Sequence, residues 1–162
     1  MDIPFKIRTI KPEDNLAIAN IIREVMPEFG AFGPGFAIND PEVNDMYTAY
    51  SKPRCTYYVV TLNDKILGGA GIAPLQNSDE DTCELQKMYF LPTARGLGLG
   101  QQMLELCIKK AQELGFKRCY VETLKTMTQA QKLYVKNGFH PLIAPLGNTG
   151  HFGCDTWLEK EI

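Results

Sequence analysis

A glycine-rich segment, ARGLGLGQ, carries the strongest chemical signal in the sequence, with Arg95 near its start and glycine at positions 96, 98 and 100. It lies between a predicted strand that ends at Leu91 and a predicted helix that begins near Gly98. Free N–H groups at the start of a helix carry partial positive charge, and glycine lets a diphosphate approach the backbone closely. The segment therefore predicts a pyrophosphate site. The alternative is a tight connection that uses glycine only for its positive φ.

Two familiar phosphate-binding loops do not fit this segment. A Walker loop needs lysine and then serine or threonine after its last glycine, whereas Gly100 is followed by Gln101 and Gln102. The dinucleotide pattern G-x-G-x-x-G fails in both frames, because its third glycine would fall on Gln101 or Met103, although Glu122 resembles the later ribose-binding acid. The hypothesis of a dinucleotide-dependent oxidoreductase is therefore supported by the glycines alone.

His151, Cys154 and Asp155 could be half of a metal site. The only other histidine is His140 and no second cysteine pair lies nearby, so we predict no metal. Cys83 or Cys154 could carry an acetyl group covalently, but a small buried thiol is the commoner use of such a residue. Five cysteines without close spacing predict free thiols and a cytoplasmic protein.

The elements that must position these residues alternate between strands and helices. A strand near the N-terminus precedes a helix to Pro27, and an irregular FGAFGPGF loop follows at residues 29–36, whose phenylalanines need cover. We predict a second helix at 40–50, then a hairpin at 56–73. The remaining elements are predicted to be a strand at 84–92, a helix at 98–114, a strand at 117–124, a helix at 128–137 and two final strands.

Length and composition limit the classes of function. The chain has 162 residues, of which 44% are hydrophobic and 22% charged, as expected for one globular α/β domain over residues 1–162. A net charge of −2 provides no field to attract nucleic acid or an anionic membrane. No apolar run is long enough for a signal or a membrane span, so we expect a soluble, cytoplasmic protein.

The stretch Arg95 to Gly100 matches the signature R/Q-x-x-G-x-G/A and follows a strand that ends in Leu-Pro. Here the chain resembles the GNAT superfamily of acetyl-CoA-dependent N-acetyltransferases, and the order of elements agrees across nearly the whole chain. The resemblance implies an α/β (α+β) fold with a mixed, mostly antiparallel sheet of about seven strands. It also implies about four flanking helices and a splay between strands 4 and 5.

The resemblance implies acetyl-CoA as co-substrate. The backbone of Met88, Tyr89 and Phe90 would bind the pantetheine arm. The residues implied to surround the pyrophosphate are Gly96, Leu97, Gly98, Leu99, Gly100 and Gln101, with Arg95 at the entrance of the loop. Arg95 could instead be a solvated surface charge.

The last helix is similar to the family segment N-x-x-A-x-x-L-Y-x-x-x-G-F, with Met127 in place of the asparagine. That change removes one expected contact with the pantetheine. By the same resemblance, Tyr134 would protonate the departing CoA thiolate. An aromatic side chain that only packs in the core is the alternative.

A base must deprotonate the acceptor ammonium, and Glu84 and Glu122 fall on family positions for this role. Glu84 is favoured narrowly; either could be a charge at a strand end. His151 and Asp155 are candidates for contact with the acceptor, as is Phe36 of the aromatic loop. The polar pair could instead stabilise a turn.

These residues predict direct acetyl transfer to a small-molecule or peptide amine in a ternary complex. We expect no metal, no nucleic acid and no membrane partner, and the family leaves a homodimer open. The alternative is a non-catalytic acyl-CoA sensor or interaction module, but a mere binder has no need of an acid and a base around the thioester.

Overall fold

Seven strands form one sheet in the order β1-β2-β3-β4-β5-β7-β6 in the computed structural model, which describes residues 4–162. The strands are β1 (Phe5–Thr9), β2 (Thr56–Leu62), β3 (Lys65–Pro74), β4 (Thr82–Phe90), β5 (Arg118–Thr123), β6 (His140–Leu142) and β7 (Thr156–Glu161). Only β4 and β5 pair in parallel; the other neighbours are antiparallel. The predicted mixed, mostly antiparallel sheet of seven strands is confirmed.

In the described part of the chain, four α-helices accompany the sheet: α1 (Asn15–Glu28), α2 (Met46–Ala49), α3 (Leu99–Glu113) and α4 (Thr128–Lys136). The continuous second helix predicted at 40–50 is wrong. Pro41–Asn44 forms a 3-10 turn, and Asp45, whose backbone angles are not helical, then accepts a hydrogen bond from the Thr48 N–H at 3.2 Å, so a separate short helix starts there. Crossing a bilayer requires more length and apolarity than any helix in residues 4–162 has.

The two faces of the sheet carry separate hydrophobic cores. One core packs α1 against side chains such as Tyr57 and Val59. The other packs α3 and α4 against Val60 and their neighbours on the opposite face. Adjacent residues of β2 enter different cores because side chains alternate along a strand. Both layers therefore hold the central strands β4 and β5 in place.

The sheet opens between β4 and β5. The two strands pair only from Thr82 opposite Arg118 to Leu85 opposite Val121, whereas β4 continues to Phe90. The register of β3 against β4 also shifts between Gly69 and Gly71, where β4 has one extra residue. Lys87 lies in this bulge with a φ of 50°, and bulges of this kind redirect a strand and its side chains. The predicted splay is confirmed.

Candidate active site

The larger cavity, of about 320 Å³, lies where β4 and β5 diverge. Its walls come from the end of β4, the glycine loop and the facing sides of α3 and α4. The predicted cofactor residues that line it are Met88, Tyr89, Phe90, Arg95, Gly96, Gly98, Leu99 and Gly100. A volume of this size falls within the range of small-molecule sites.

The glycine loop turns the backbone toward this cavity. Gly96 and Gly98 have φ angles of 75° and 77°, and a Cβ added at either residue would meet no atom within 4 Å. These glycines are therefore required for their conformation and not for close packing. Gln102 carries the first N–H of α3 that makes a helical hydrogen bond. It donates to the Gly98 carbonyl at 3.2 Å. The preceding N–H groups lack helical partners, as at every helix start, and can face an anion.

Two predicted cofactor residues are not among those that line the cavity. The Leu97 side chain is exposed to solvent. The Gln101 amide exchanges hydrogen bonds with Asn137, 2.8 Å each, and also donates to Glu105. Only the backbone groups of these two residues can therefore contact a cofactor in the larger cavity.

Arg95 lies at the edge of the cavity and is already bonded within the protein. Its guanidinium contacts Glu28 at the end of α1 at 2.9 and 3.2 Å, and its Nε donates to the Phe90 carbonyl at 3.0 Å. The Phe29 ring lies 5.5 Å away. Because the pair with Glu28 is solvent-exposed, a phosphate could displace that carboxylate at small cost.

A second, smaller cavity of about 50 Å³ adjoins the first, and Tyr89 and Met127 line both. It holds four of the residues predicted for catalysis or acceptor contact: Glu84, Glu122, His151 and Phe36. Asp155 is not among its lining residues; its side chain is exposed and accepts a hydrogen bond from the Lys125 N–H at 2.9 Å. Of the two predicted polar residues after β6, only His151 reaches the cavity.

Glu84 is the buried acid of the smaller cavity, with 3% of its surface exposed. It accepts a hydrogen bond from the Gln86 amide at 2.5 Å, and Gln86 in turn accepts one from the Tyr50 hydroxyl at 2.6 Å. Burial raises the pKa of Glu84 to about 7; the Gln86 bond opposes that rise and the nearby Glu122 charge adds to it. A carboxylate with this pKa can accept a proton near neutrality.

Glu122 faces Glu84 from β5 and is held by two hydroxyl groups. The Tyr120 and Thr149 hydroxyls each donate to it at 2.8 Å. Atoms of Glu84, Glu122 and His151 all lie within 4.8 Å of one another. Within residues 4–162 this is the one cluster of three such groups that could surround a small cation, including the ammonium of an amine. It differs from the half metal site that the sequence suggested around Cys154.

The thiols are poorly suited to carry an acetyl group. Cys83 is fully buried, and Cys154 lines the smaller cavity. Burial, with added repulsion from Glu122 and Glu84, raises the pKa of Cys154 to about 12. The thiolate is the nucleophilic form, so this residue is unreactive near neutral pH.

Tyr134 is buried in α4, and its ring lies 5.6 Å from that of Phe139. It is not among the side chains that line either cavity, although its neighbour Leu133 lines the larger one. Burial raises the pKa of its phenol, so the hydroxyl stays protonated across the neutral range. Its predicted role as an acid remains a prediction.

Sequence reasoning missed two charged residues of the smaller site, Asp40 and Lys87. Asp40 is hydrogen-bonded to His151, which lies 111 positions later in the sequence, and no local pattern predicts that contact. Lys87 did give a signal, because a lysine within the apolar run of β4 must find counter-charges if it is buried.

Comparison with known proteins identifies the family of the chain. The model of the acetyltransferase (GNAT) family matches residues 18–139. YjgM of Escherichia coli K12, an uncharacterized N-acetyltransferase, is 42% identical over 157 residues, which cover 96% of this chain and 94% of that protein. An uncharacterized N-acetyltransferase of Schizosaccharomyces pombe is 27% identical over 129 residues, covering 79% and 77%.

Solved structures share the fold at low identity. A GNAT-family acetyltransferase from Staphylococcus aureus Mu50 superposes with a TM-score of 0.84 at 19% identity, covering 98% of this chain and 99% of that one. The structure of yncA from Salmonella typhimurium with its cofactor acetyl-CoA gives a TM-score of 0.78 at 19% identity, covering 97% and 93%. Because the family model matches most of this chain, the chain belongs to the GNAT family of acetyltransferases.

Proposed function

We propose that this protein transfers the acetyl group of acetyl-CoA directly to a primary amine. The observation that carries the proposal is the meeting of two cavities at Tyr89 and Met127. One cavity faces the glycine loop, and the other contains Glu84, the buried acid whose pKa lies near neutrality. A thioester in the first and an amine in the second would meet at their junction.

Acetyl-CoA fits the larger cavity by the chemistry of its walls. Backbone amides at the start of α3 suit a pyrophosphate, and the mostly apolar side chains around them suit the pantetheine arm. The related fold of yncA was solved with its cofactor acetyl-CoA. The ligand class is therefore supported by the loop and by a structural neighbour.

The smaller cavity suits the charged end of an amine. Glu84 and Glu122 line it with negative charge, and the Lys87 ammonium is compensated by Asp40 and Glu42. At about 50 Å³ the cavity admits the ammonium and a few adjoining atoms, so the rest of the acceptor must lie outside.

Reaction begins when Glu84 removes a proton from the acceptor ammonium, which frees the nitrogen lone pair. The nitrogen attacks the thioester carbonyl, and a backbone N–H near Tyr89 or Phe90 stabilises the oxyanion. The C–S bond breaks, and Tyr134 protonates the sulfur. The second proton of the nitrogen restores Tyr134. Each turnover therefore leaves one proton on Glu84.

The proposal is tested by two measurements on the same protein. Calorimetry measures CoA binding, and thiol release from acetyl-CoA is followed across a panel of small primary amines, polyamines and peptides. We expect CoA binding together with amine-dependent thiol release. Binding without release for any amine would favour an acyl-CoA sensor, and absence of binding would overturn both functions.

Replacing Arg95 by methionine is expected to weaken CoA binding by about three- to tenfold, the loss of one exposed charge-assisted contact with phosphate. Glu28→Gln is the matched control, because it removes the competing partner of Arg95 and should leave CoA binding equal or tighter. Calorimetric dissociation constants check both variants. An unchanged constant for Arg95→Met would show that the arginine is a surface charge only.

A further inference from the structure

Each turnover leaves a proton on Glu84, and this proton must leave a buried site. The inference about its route rests on the proposed function. Glu84 is only 3% exposed and cannot pass its proton to bulk solvent directly. Its direct hydrogen bond is from the neutral amide of Gln86, which is not a proton carrier. Other titratable groups must therefore return Glu84 to its ionised form before the next turnover.

A line of such groups leads from Glu84 to the surface. His151 and Glu122 lie within 4.8 Å of it, and Glu122 is 3.8 Å from His151 Nδ1. On the other side of the ring, Nε2 lies 2.9 Å from both carboxylate oxygens of Asp40. Side-chain exposure rises along this line from 5% at Glu122 to 15% at His151 and 19% at Asp40.

We propose that His151 and Asp40 carry the reaction's proton out of the pocket, and that Lys87 is a positioning residue that holds Asp40 against the imidazole. The O–H bond on Glu84 breaks as an N–H bond forms at Nδ1, through one intervening water or through Glu122, since these groups lie up to 4.8 Å apart. The N–H bond at Nε2 then breaks, and its proton passes to Asp40 and on to solvent. The ring is left protonated at Nδ1 instead of Nε2, and it regains its starting tautomer when Nδ1 releases its proton and Nε2 takes one from solvent. One proton leaves Glu84 and one reaches solvent in each cycle, so charge and atoms balance.

Lys87 holds Asp40 because its buried charge needs carboxylate partners, of which Asp40 is one. Its side chain is 2% exposed, and its ammonium lies 3.0 Å from Asp40 and 3.1 Å from Glu42. The bulge that turns it inward is fixed by the Tyr57 hydroxyl, which donates to the Lys87 carbonyl at 2.8 Å. A buried ammonium requires such partners, so the lysine fixes the position of the loop that carries Asp40.

The charged and titratable groups that face His151 come from every element around it. Asp40 lies on the loop after α1, Glu84 and Lys87 on β4, Glu122 on β5, and Cys154 on its own loop. Burial alone would lower the pKa of the imidazole, but the hydrogen bond and charge of Asp40 outweigh it, and the net pKa is raised.

Turnover in His151→Ala tests the route directly, with the amine that is most active in the panel. At low buffer concentration we expect kcat to fall by tenfold or more, within the range of effects for positioned proton carriers. Added imidazole should restore part of kcat in a saturable manner, because it can occupy the vacated space. Lys87→Met should also lower kcat, and added imidazole should not restore it. This variant still has the His151 ring, but the ring is displaced.

Glu42→Gln is the matched control for Lys87→Met. It removes the second partner of the lysine but leaves Asp40 and His151 in place, so kcat should stay within twofold of the wild type. A kcat for His151→Ala equal to that of the wild type without imidazole would overturn the route. Near-ultraviolet circular dichroism verifies that each variant is folded.

A titration without substrate is a second, independent test of the proton route. Nitrogen-15 NMR follows the ring nitrogens of His151, and Asp40→Asn should lower the pKa of this imidazole because its hydrogen bond and charge partner are removed. An unchanged His151 pKa would overturn the pairing with Asp40. If the wild-type protein turns over no amine, the proposed function fails and the route fails with it; wild-type turnover with unaffected variants refutes the route alone.

Discussion

Replacing Glu84 by glutamine is expected to lower kcat/KM by about 10²–10³-fold at pH 7, the loss produced when a general base is removed. Glutamine has the same shape and can still accept the hydrogen bond from Gln86, so the cavity should keep its form. The wild-type profile of kcat/KM should show an acid limb with a pKa of about 7, and the variant should lose that limb. Rates measured from pH 5 to pH 9 check both expectations.

The same substitution should make the folded protein more stable in alkaline solution. The ordinary pKa of this carboxyl is 4.5 and its folded-state pKa is about 7, so the native state retains the proton over an interval in which the unfolded chain has lost it. Stability therefore falls as the pH rises from 4.5 to 7, by on the order of 3 kcal/mol. Glu84→Gln removes this loss. Its free energy of unfolding should exceed that of the wild type at pH 8 and equal it near pH 4.

Loss of activity together with a gain in stability distinguishes a general base from a structural acid. Glu80→Gln is the matched control, because Glu80 is exposed on the segment just before β4 and should change neither property. Urea unfolding at the two pH values measures stability. A Glu84→Gln variant with full activity and an intact acid limb would remove this residue from the mechanism and leave Glu122 as the candidate base.

The glycine loop and the order of elements could be predicted from sequence because both are local patterns. Positive φ at Gly96 and Gly98 follows from residue type, and the alternation of strands and helices follows from hydrophobic period. The second predicted helix was too long because Asp45 competes locally for the Thr48 N–H. Its capping role depends on backbone angles that no period in the sequence records.

The acceptor side of the site could be predicted only in part. Glu84 and Glu122 stood out as acids within apolar strands, but their approach to His151 depends on how the loop between β6 and β7 folds back. That loop is tied to the loop after α1 by the Gly153 N–H, which donates to the Gly35 carbonyl at 2.9 Å. Asp40 reaches the site through that tertiary contact. Its position is a property of the assembled fold and not of its own segment.

Tyr134→Phe is expected to lower kcat by about 10²-fold, a typical contribution of general acid catalysis, with little change in the binding of CoA. Phenylalanine keeps the ring that packs 5.6 Å from Phe139, so the core should be undisturbed. The hydroxyl stays protonated near neutral pH because burial raises its pKa, and its loss leaves the departing thiolate without an internal donor. Single-turnover rates and calorimetric CoA constants separate the chemical step from binding.

Tyr58→Phe is the matched control, because Tyr58 is a second buried phenol in the same hydrophobic core. It loses the same atom from the same core, but no residue of β2 lines either cavity, whereas Leu133 beside Tyr134 lines the larger one, so kcat should stay near that of the wild type. Equal activity of Tyr134→Phe and the wild type would show that Tyr134 only packs in the core. The thiolate would then leave unprotonated and take a proton from solvent afterwards, which its reference pKa of about 8.5 permits. The rate of the variant should in that case rise with pH in parallel with the wild type.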